Sequence, residues 1–176
     1  MIELGAYWCF YSIWFYREIA DAQCHLAEPN PYHISFGEEN LKLNGVPADI
    51  LRAYVGSEEG VTSDGTRLVS IDTLVDERGI PHVHLLHSDI QGAELDMLRG
   101  ADRLLREKRV SYIFISTHSE EIHQECKSCL EERGYLLVAS HDLADSYSFD
   151  GLVVARSPET SGPEHVSISL KTAPIR

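Results

Sequence analysis

Residues 83–116 set the architecture of the chain and read VHLLHSDIQGAELDMLRGADRLLREKRVSYIFIS. The apolar run at 83–87 predicts a buried strand, and the leucines between Leu95 and Leu105 recur at helical spacing. Residues 110–116 are rich in β-branched and aromatic side chains, which predicts a second strand. A strand, a helix and a strand in this order form a βαβ unit and favour a parallel sheet.

The same alternation extends to both sides of this unit. Further strands are predicted at 1–6, 22–27, 50–55, 135–139 and 151–155, and further helices at 8–20, 34–43, 70–79 and 120–133. Alternating strands and helices predict an α/β fold with helices on both faces of a mostly parallel sheet. The last two strands have no helix-length segment between them, so we expect them to form an antiparallel edge pair.

Two segments carry weaker patterns. Residues 60–66 are polar and predict a loop. From residue 157 onward Pro, Gly, Ser and Thr accumulate, which predicts a loosely held tail over 157–176 with one extra strand at 166–170. The domain proper is therefore expected to span residues 1–156.

Composition excludes several classes of protein. The 176 residues include 28 Asp and Glu against 15 Lys and Arg, giving a formal net charge of −13. Such an acidic chain is not expected to bind nucleic acid or an anionic membrane surface. It has no apolar run near the roughly 18 residues of a membrane span, and no basic segment typical of a signal peptide. Its four cysteines do not form a disulfide scaffold, so a soluble cytoplasmic domain is expected.

Ligands of such sheets bind beyond the carboxyl ends of the strands. Glu28 follows the second predicted strand, and Gly5 follows the first. An acid in that place can accept both ribose hydroxyls, although a solvated loop acid is an equal reading of Glu28 alone. The dinucleotide pattern G-x-G-x-x-G is absent, which disfavours a dehydrogenase and favours an adenosine ligand without pyrophosphate.

The segment HSDIQGAE at 87–94 resembles the FkbM family of S-adenosylmethionine-dependent methyltransferases. Other segments agree in order: ELGA at 3–6, EPNP at 28–31, NLKLNG at 40–45, SIDTL at 70–74 and LRGA at 98–101. The resemblance covers residues 1–156. It implies a class I methyltransferase fold, a Rossmann-like three-layer sandwich with a seven-stranded, mostly parallel sheet and an antiparallel last strand.

The resemblance also implies the cofactor site. S-adenosylmethionine would lie with its methionine part near Glu3 and Gly5, its ribose on Glu28, and its amino and methyl groups near Asp89. The full set of expected cofactor contacts is Glu3, Gly5, Ala6, Tyr7, Glu28, Pro29, Gly56 and Asp89. Carboxylates at strand ends would stabilise the cationic sulfonium and ammonium groups.

A methyl acceptor needs a base, and His118 is the preferred candidate. Asp89 is the competing base, and a histidine merely hydrogen-bonded in a loop is the structural alternative. The predicted reaction is O-methylation of a small-molecule, sugar or natural-product hydroxyl. A metal held by Asp89, Glu94 and His118 is a further alternative, disfavoured because Glu94 is equally expected to face solvent.

Other clusters have simpler explanations. His82 and His84 share one face of a strand and His87 the other, so the three cannot converge on a metal. Cys126 and Cys129 fall on an apolar helix stripe and are expected in the core. A further acidic group (Asp142, Asp145 and Asp150, with Tyr147 between them) is interpreted as a solvated loop.

The chain departs from the family pattern at its beginning. Tyr7 and Cys9 stand where relatives carry Asn and Gly, so side chains are expected to narrow the cofactor space. The resemblance leads us to expect that the chain begins inside the first strand and lacks the upstream cap of relatives. Seven of the fifteen aromatic residues fall within 7–16, which predicts cover by a partner or a second copy of the chain. The alternative function is therefore a truncated or accessory methyltransferase-like subunit with weak or no activity.

Overall fold

The computed structural model describes residues 1–170 of the chain, and the elements below refer to that part. The strands are β1 (Ile2–Leu4), β2 (His25–Ala27), β3 (Ile50–Leu51), β4 (Ala53–Val55), β5 (Gly60–Val61), β6 (Arg67–Val69), β7 (Val83–Ser88), β8 (Val110–Thr117), β9 (Leu136–His141) and β10 (Gly151–Arg156). The helices are α1 (Phe10–Glu18), α2 (Pro31–Asn44), α3 (Ile71–Glu77), α4 (Glu94–Arg99), α5 (Asp102–Arg106) and α6 (Glu120–Glu132).

Seven strands form the main sheet in the order β3-β2-β1-β7-β8-β10-β9. Strands β3, β2, β1, β7 and β8 run parallel to one another, and β10 is antiparallel to both β8 and β9. The predicted α/β class and the antiparallel final pairing are confirmed. Order reverses between β1 and β7, which is where an open α/β sheet leaves a crevice for a ligand.

Alternation along β1 shows how the sheet separates two apolar layers. Ile2 and Leu4 belong to the larger core beneath α3, α4, α5 and α6, whereas Glu3 between them faces the layer of α1 and α2. Leu26, beside Glu3 on β2, packs into the smaller core with Ala6 and Leu41. Helices therefore cover both faces, and the three-layer sandwich is confirmed.

Side-chain caps fix where three of the helices begin. Asn30, Ser70 and Ser119 precede α2, α3 and α6, and each side chain accepts a hydrogen bond from a backbone N–H of the first turn. Such caps contribute about 1 kcal/mol each. Helix α2 ends at Gly45, whose φ of 66° is the left-handed conformation that favours glycine.

The predicted strand at 50–55 is two strands in different sheets. Residues 50–51 pair with β2, whereas residues 53–55 pair with β6, and Arg52 separates them. The segment 60–66, predicted as a loop, begins with β5, which pairs antiparallel with β6. Strands β4, β6 and β5 thus form a small second sheet.

Two further expectations differ from the structure. The helix predicted after Asp89 is interrupted between Arg99 and Asp102, giving α4 and α5. The strand predicted at 166–170 is not formed, although the Val166 N–H donates to the Val138 carbonyl (3.0 Å). Residues 171–176, the end of the predicted tail, lie outside the described residues.

The aromatic surface at the start of the chain remains exposed. Helix α1 buries only Ser12, while Phe10 and Trp14 keep 66% and 57% of their surface accessible. We call Tyr7, Trp8, Phe10, Tyr11 and Trp14 together the aromatic surface. None of the helices within residues 1–170 combines the length and apolar character needed to cross a membrane.

Candidate functional site

The turn between β1 and α1 brings the ends of two central strands together. The Asp89 N–H donates to the Leu4 carbonyl (3.0 Å), and the next residue, Gly5, has a φ of 70°. A Cβ at Gly5 would overlap the Asp89 carbonyl oxygen. Only glycine therefore allows the ends of β1 and β7 to approach this closely.

Cys9 does not narrow the ligand space, contrary to the sequence-based expectation. It takes a φ of 64°, the backbone conformation that a glycine would favour, and it is fully buried with Ala6 and Leu41. A Cβ at Gly37 of α2 would lie 2.7 Å from its Sγ. The absence of a side chain at Gly37 thus makes room for the thiol, whose pKa burial raises to about 12.

Glu28 is held rigidly at the end of β2, and only 5% of its surface is accessible. Its Oε2 accepts from the Tyr7 N–H (3.1 Å), and its Oε1 accepts from the Asn30 N–H (2.9 Å). The His33 Nδ1 lies 3.2 Å from Oε1. Both oxygens are therefore oriented by the chain itself, and the reading of Glu28 as a freely solvated loop acid is wrong.

A cleft of about 660 Å³ opens at the carboxyl ends of the strands. Its volume lies within the usual range for small-molecule sites. Its lining includes five residues predicted to contact the cofactor: Gly5, Tyr7, Glu28, Pro29 and Asp89. Three more predicted contacts, Glu3, Ala6 and Gly56, are not part of the lining.

Sequence reasoning missed the remaining lining residues, which are Ala27, Asn30, His33, Ala53, Tyr54, Val55, Ile90, Gln91 and Ala93. Tyr54 and its neighbours come from β4, whose place beside the cleft depends on the second sheet. His33 enters from the first turn of α2, three residues after its cap. The local sequence signal that could have identified His33 is its position three residues after the helix cap Asn30.

Glu3 lies behind the cleft, in the layer of α1. Its Oε2 accepts from the Ser12 N–H (2.9 Å), and burial raises its pKa to about 7. His87 stands beside Glu3 on β7 and points to the same face, where its ring lies 4.1 Å from that of Tyr11. Burial lowers the pKa of His87 to about 4, and its Nδ1 has no hydrogen-bond partner among the described residues.

The other two predicted contacts have backbone roles. The Ala6 N–H donates to the Ala27 carbonyl (3.1 Å), which tightens the first turn. The Gly56 N–H donates to the Val69 carbonyl (3.1 Å), and the Gly56 carbonyl lies where a Cβ at Gly100 would be. Both residues shape the walls around the cleft.

His118 follows β8 and is surrounded by three carboxylates. Its Nδ1 lies 2.8 Å from Glu94 Oε1, and its Nε2 lies 3.3 Å from Asp89 Oδ1 and 3.6 Å from Asp150 Oδ1. The Gln91 Nε2 is 2.9 Å from the same Nε2. The two candidate bases, His118 and Asp89, are thus in direct contact, and burial raises the pKa of Asp89.

Glu94 differs most from its expected position. It opens α4 but does not face solvent, because it is fully buried with Oε1 accepting from the Gly92 N–H (3.0 Å). Gln91 and Gly92 have φ values of 57° and 104°, and this turn folds the helix start back toward β8. Within residues 1–170, no group of three His, Cys, Asp or Glu side chains is arranged to hold a metal ion.

The two cysteines of α6 and the acidic residues at 142–150 lie in different environments. Cys126 and Cys129 are buried and unpaired in the core of α6, as predicted. Asp142 accepts from the N–H groups of its own turn, whereas Asp150 reaches His118. The interpretation of the whole acidic loop as solvated is therefore wrong for Asp150.

The strand order and the crevice define the class I fold of S-adenosylmethionine-dependent methyltransferases. The motifs at 28–45, 70–74 and 87–101 stand on the elements that their order predicts. A model of the FkbM methyltransferase domain matches residues 45–137, more than half of the chain. The chain therefore belongs to the FkbM methyltransferase family, as the resemblance of its motifs predicts. No curated protein sequence matches it.

Solved structures agree on the fold. The precorrin-6y C5,15-methyltransferase of Geobacter metallireducens superposes with a TM-score of 0.62 at 16% identity, over 89% of this chain and 78% of that one. TrmK of M. capricolum, in complex with S-adenosyl-homocysteine, gives 0.55 at 10% identity, over 96% and 64%. The N-terminal domain of human METTL16, in complex with SAH, gives 0.57 at 12% identity, over 89% and 60%.

Proposed function

We propose that this chain transfers a methyl group from S-adenosylmethionine to a hydroxyl of a small neutral molecule, such as a sugar or a natural-product intermediate. The observation that carries the proposal is the contact between Asp89, which lines the cleft, and His118, whose Nε2 lies 3.3 Å from the Asp89 carboxylate. An imidazole next to a ligand cleft can accept a proton near neutral pH.

The residues of the cleft fit the proposed cofactor. Glu28 presents a fixed carboxylate that suits ribose hydroxyls, and the β4 side chains Ala53 and Val55 offer apolar surface for a base. Asp89 supplies negative charge for cationic groups. When bound, S-adenosylmethionine would supply a methyl group activated by a sulfonium sulfur, which a nucleophilic oxygen can take by direct displacement.

In this proposal, the chain itself orients the acceptor and removes its proton. His118 Nε2 takes the hydroxyl proton as the oxygen acquires the methyl group. The carboxylates of Asp89, Glu94 and Asp150 stabilise the imidazolium that results, because all three lie within 3.6 Å of the ring nitrogens. General bases of this kind contribute about 10²- to 10⁴-fold to the rate.

Electrostatics favours a neutral acceptor over a nucleic acid. The chain carries a net charge of −13, and three carboxylates surround the proposed base. A phosphodiester would meet repulsion both at long range and at the reacting position. Structures of this fold include proteins described as acting on tRNA and on ribosomal protein L11, so the acceptor class needs its own test.

Calorimetry of S-adenosylmethionine binding tests the cofactor site. Glu28→Gln keeps the size of the side chain and removes its charge, while Glu39→Gln makes the same change at an exposed position of α2. We expect the first variant to bind about 10- to 100-fold more weakly, since hydrogen bonds to a charged group contribute about 1.5–3 kcal/mol. The second should bind like the parent. Equal binding by all three proteins would exclude Glu28 from the site.

Release of S-adenosylhomocysteine tests the acceptor class. The protein is incubated with S-adenosylmethionine and a panel of neutral sugars and phenols, and separately with tRNA. Turnover is expected with a neutral hydroxyl compound and is expected to be lost in His118→Asn. Turnover with tRNA alone would contradict the proposal, and undiminished turnover by His118→Asn would exclude that residue as the base.

A further inference from the structure

Glu94 has an environment that stability alone does not explain. It is fully buried, its Oε1 accepts from the Gly92 N–H, and its Oε2 has no hydrogen-bond partner among the described residues. A buried carboxylate oxygen without a partner costs free energy. Its second contact, the 2.8 Å approach of Oε1 to His118 Nδ1, is the part of the arrangement that can serve the site.

The hydrogen bonds on the two sides of the His118 ring specify the same tautomer. Oε1 of Glu94 accepts from the Gly92 N–H, and a carboxylate oxygen that also accepts from His118 requires the ring proton on Nδ1. On the other side, the Gln91 Nε2 can only donate, and at 2.9 Å it lies closer to His118 Nε2 than Asp89 Oδ1 (3.3 Å) or Asp150 Oδ1 (3.6 Å), which favours a lone pair on Nε2. The same amide nitrogen donates to Asp89 Oδ1 (3.1 Å), which fixes its orientation.

We propose that Glu94 is a positioning residue that holds His118 in the Nδ1–H tautomer, with the Nε2 lone pair accepting from the Gln91 side-chain N–H beside the cleft. Gln91 covers that lone pair until an acceptor hydroxyl replaces its N–H. The hydroxyl proton then passes to Nε2, and the imidazolium keeps its Nδ1–H bond to Glu94. The functional meaning of this arrangement rests on the proposed role of His118 as base, but the tautomer itself does not.

The backbone around Gln91 supports this role. Gln91 has a φ of 57°, a conformation that costs a residue with a side chain about 1 kcal/mol. The following Gly92 has a φ of 104°, and its N–H is the one that Glu94 accepts. The same strained turn therefore places both partners of the imidazole, one on each ring nitrogen. Strain that persists at one such point is typical of a functional site.

Nitrogen NMR of protein labelled with ¹⁵N-histidine tests the proposal without any acceptor. Spectra are recorded at about pH 8.5, where an ordinary imidazole is neutral, and His118→Asn identifies the signal. We expect the parent to show a protonated Nδ1 and an unprotonated Nε2. The opposite tautomer in the parent would overturn the proposal, whatever the variants do.

Variants at Glu94 then test its part. Glu94→Gln retains a carbonyl oxygen that can accept from Nδ1–H and should keep the tautomer. Glu94→Leu leaves the Gln91 N–H, which favours the Nδ1–H form, in competition with the Asp89 and Asp150 carboxylates, which favour the Nε2–H form, and should give a mixture of both forms. Asp96→Asn, an exposed change in the first turn of the same helix, is the control and should leave the signal unchanged. A single Nδ1–H tautomer in folded Glu94→Leu would overturn the proposal. If Glu94→Leu does not fold, a changed tautomer in Glu94→Gln would overturn it.

The same variants separate this inference from the proposed function. A shifted tautomer in Glu94→Leu, with at least a 100-fold loss of turnover at unchanged S-adenosylmethionine affinity, would support both. A shifted tautomer with undiminished turnover of a neutral acceptor would keep Glu94 as the group that fixes His118, and would exclude His118 as the base.

Discussion

Glu3 and His87 make opposite contributions to the pH dependence of stability. Burial raises the pKa of Glu3 from 4.5 to about 7, so the folded protein keeps a proton there that the unfolded chain releases. Stability is therefore lost as pH rises through this range. Burial lowers the pKa of His87 from 6.5 to about 4, so the unfolded chain takes up a proton that the folded protein does not. That contribution to stability is lost as pH falls from 6.5 to about 4.

The two contributions are of similar size. At about 1.4 kcal/mol for each pH unit, each buried group changes the free energy of unfolding by about 3 kcal/mol across its window. Because the windows overlap between pH 4.5 and 6.5, the parent protein should show little pH dependence there from this pair. Glu3→Gln removes one contribution and keeps an oxygen that can accept from the Ser12 N–H.

Urea denaturation followed by circular dichroism, at intervals from pH 4.5 to 7, measures the effect. The free energy of unfolding of Glu3→Gln, relative to that of the parent, should rise by about 3 kcal/mol over this range. His87→Phe should change in the opposite sense, losing stability relative to the parent as pH rises from about 4 to 6.5. Other titrating groups cancel in these differences. A constant difference between Glu3→Gln and the parent would refute the assignment of a buried, protonated Glu3.

Three further predictions concern packing. Gly5→Ala and Gly45→Ala place a methyl group at nearly the same φ, but only the methyl group at residue 5 meets a carbonyl oxygen. Gly5→Ala should therefore destabilise the protein by about 3 kcal/mol more than Gly45→Ala in thermal or urea unfolding. Equal losses of stability in the two variants would contradict the close approach at the first turn. Cys126, whose pKa burial raises to about 12, should react with iodoacetamide only as the protein unfolds, and rapid labelling without denaturant would contradict its burial. Tyr135→Phe removes the hydroxyl that donates to the Val110 carbonyl (3.0 Å) and should cost about 1 kcal/mol in the same unfolding assay, whereas unchanged stability would show that this bond contributes nothing.

The local sequence pattern predicted most of the strands and helices. It did not predict which strands pair with each other when they are distant in the sequence. The strand at 83–88 and the capped helices follow from apolar periodicity and from cap residues that act within a few positions. Residues 50–55 are apolar except for Arg52 and predict a single strand, yet the residues before Arg52 pair with β2 and those after it pair with β6. Nothing in a local window distinguishes these two partners.

The sequence likewise identified some features of the candidate site and not others. Glu28 and Gly5 could be found because strand ends are readable and the ligand edge of a parallel sheet follows from topology. The sequence named Glu94 only as an alternative metal ligand and did not predict its burial, since an acid at a helix start is usually solvated or favoured by the helix dipole. Its burial depends on the left-handed turn at Gln91, a conformation that the sequence does not signal because glutamine rarely adopts it.

Glu28 lines the cleft and Glu94 is buried beside His118, and the different hydrogen bonding of these two acidic side chains indicates different roles. Glu28 has both oxygens bound by the chain, so its orientation is set before any ligand arrives, which suits a residue that recognises a fixed pair of hydroxyls. The Oε2 of Glu94 has no hydrogen-bond partner among the described residues, whereas its Oε1 contacts both the Gly92 N–H and His118 Nδ1. A buried acidic side chain with one unpartnered oxygen is explained by the proposed positioning of the His118 imidazole, because proton transfer needs one ring nitrogen held free.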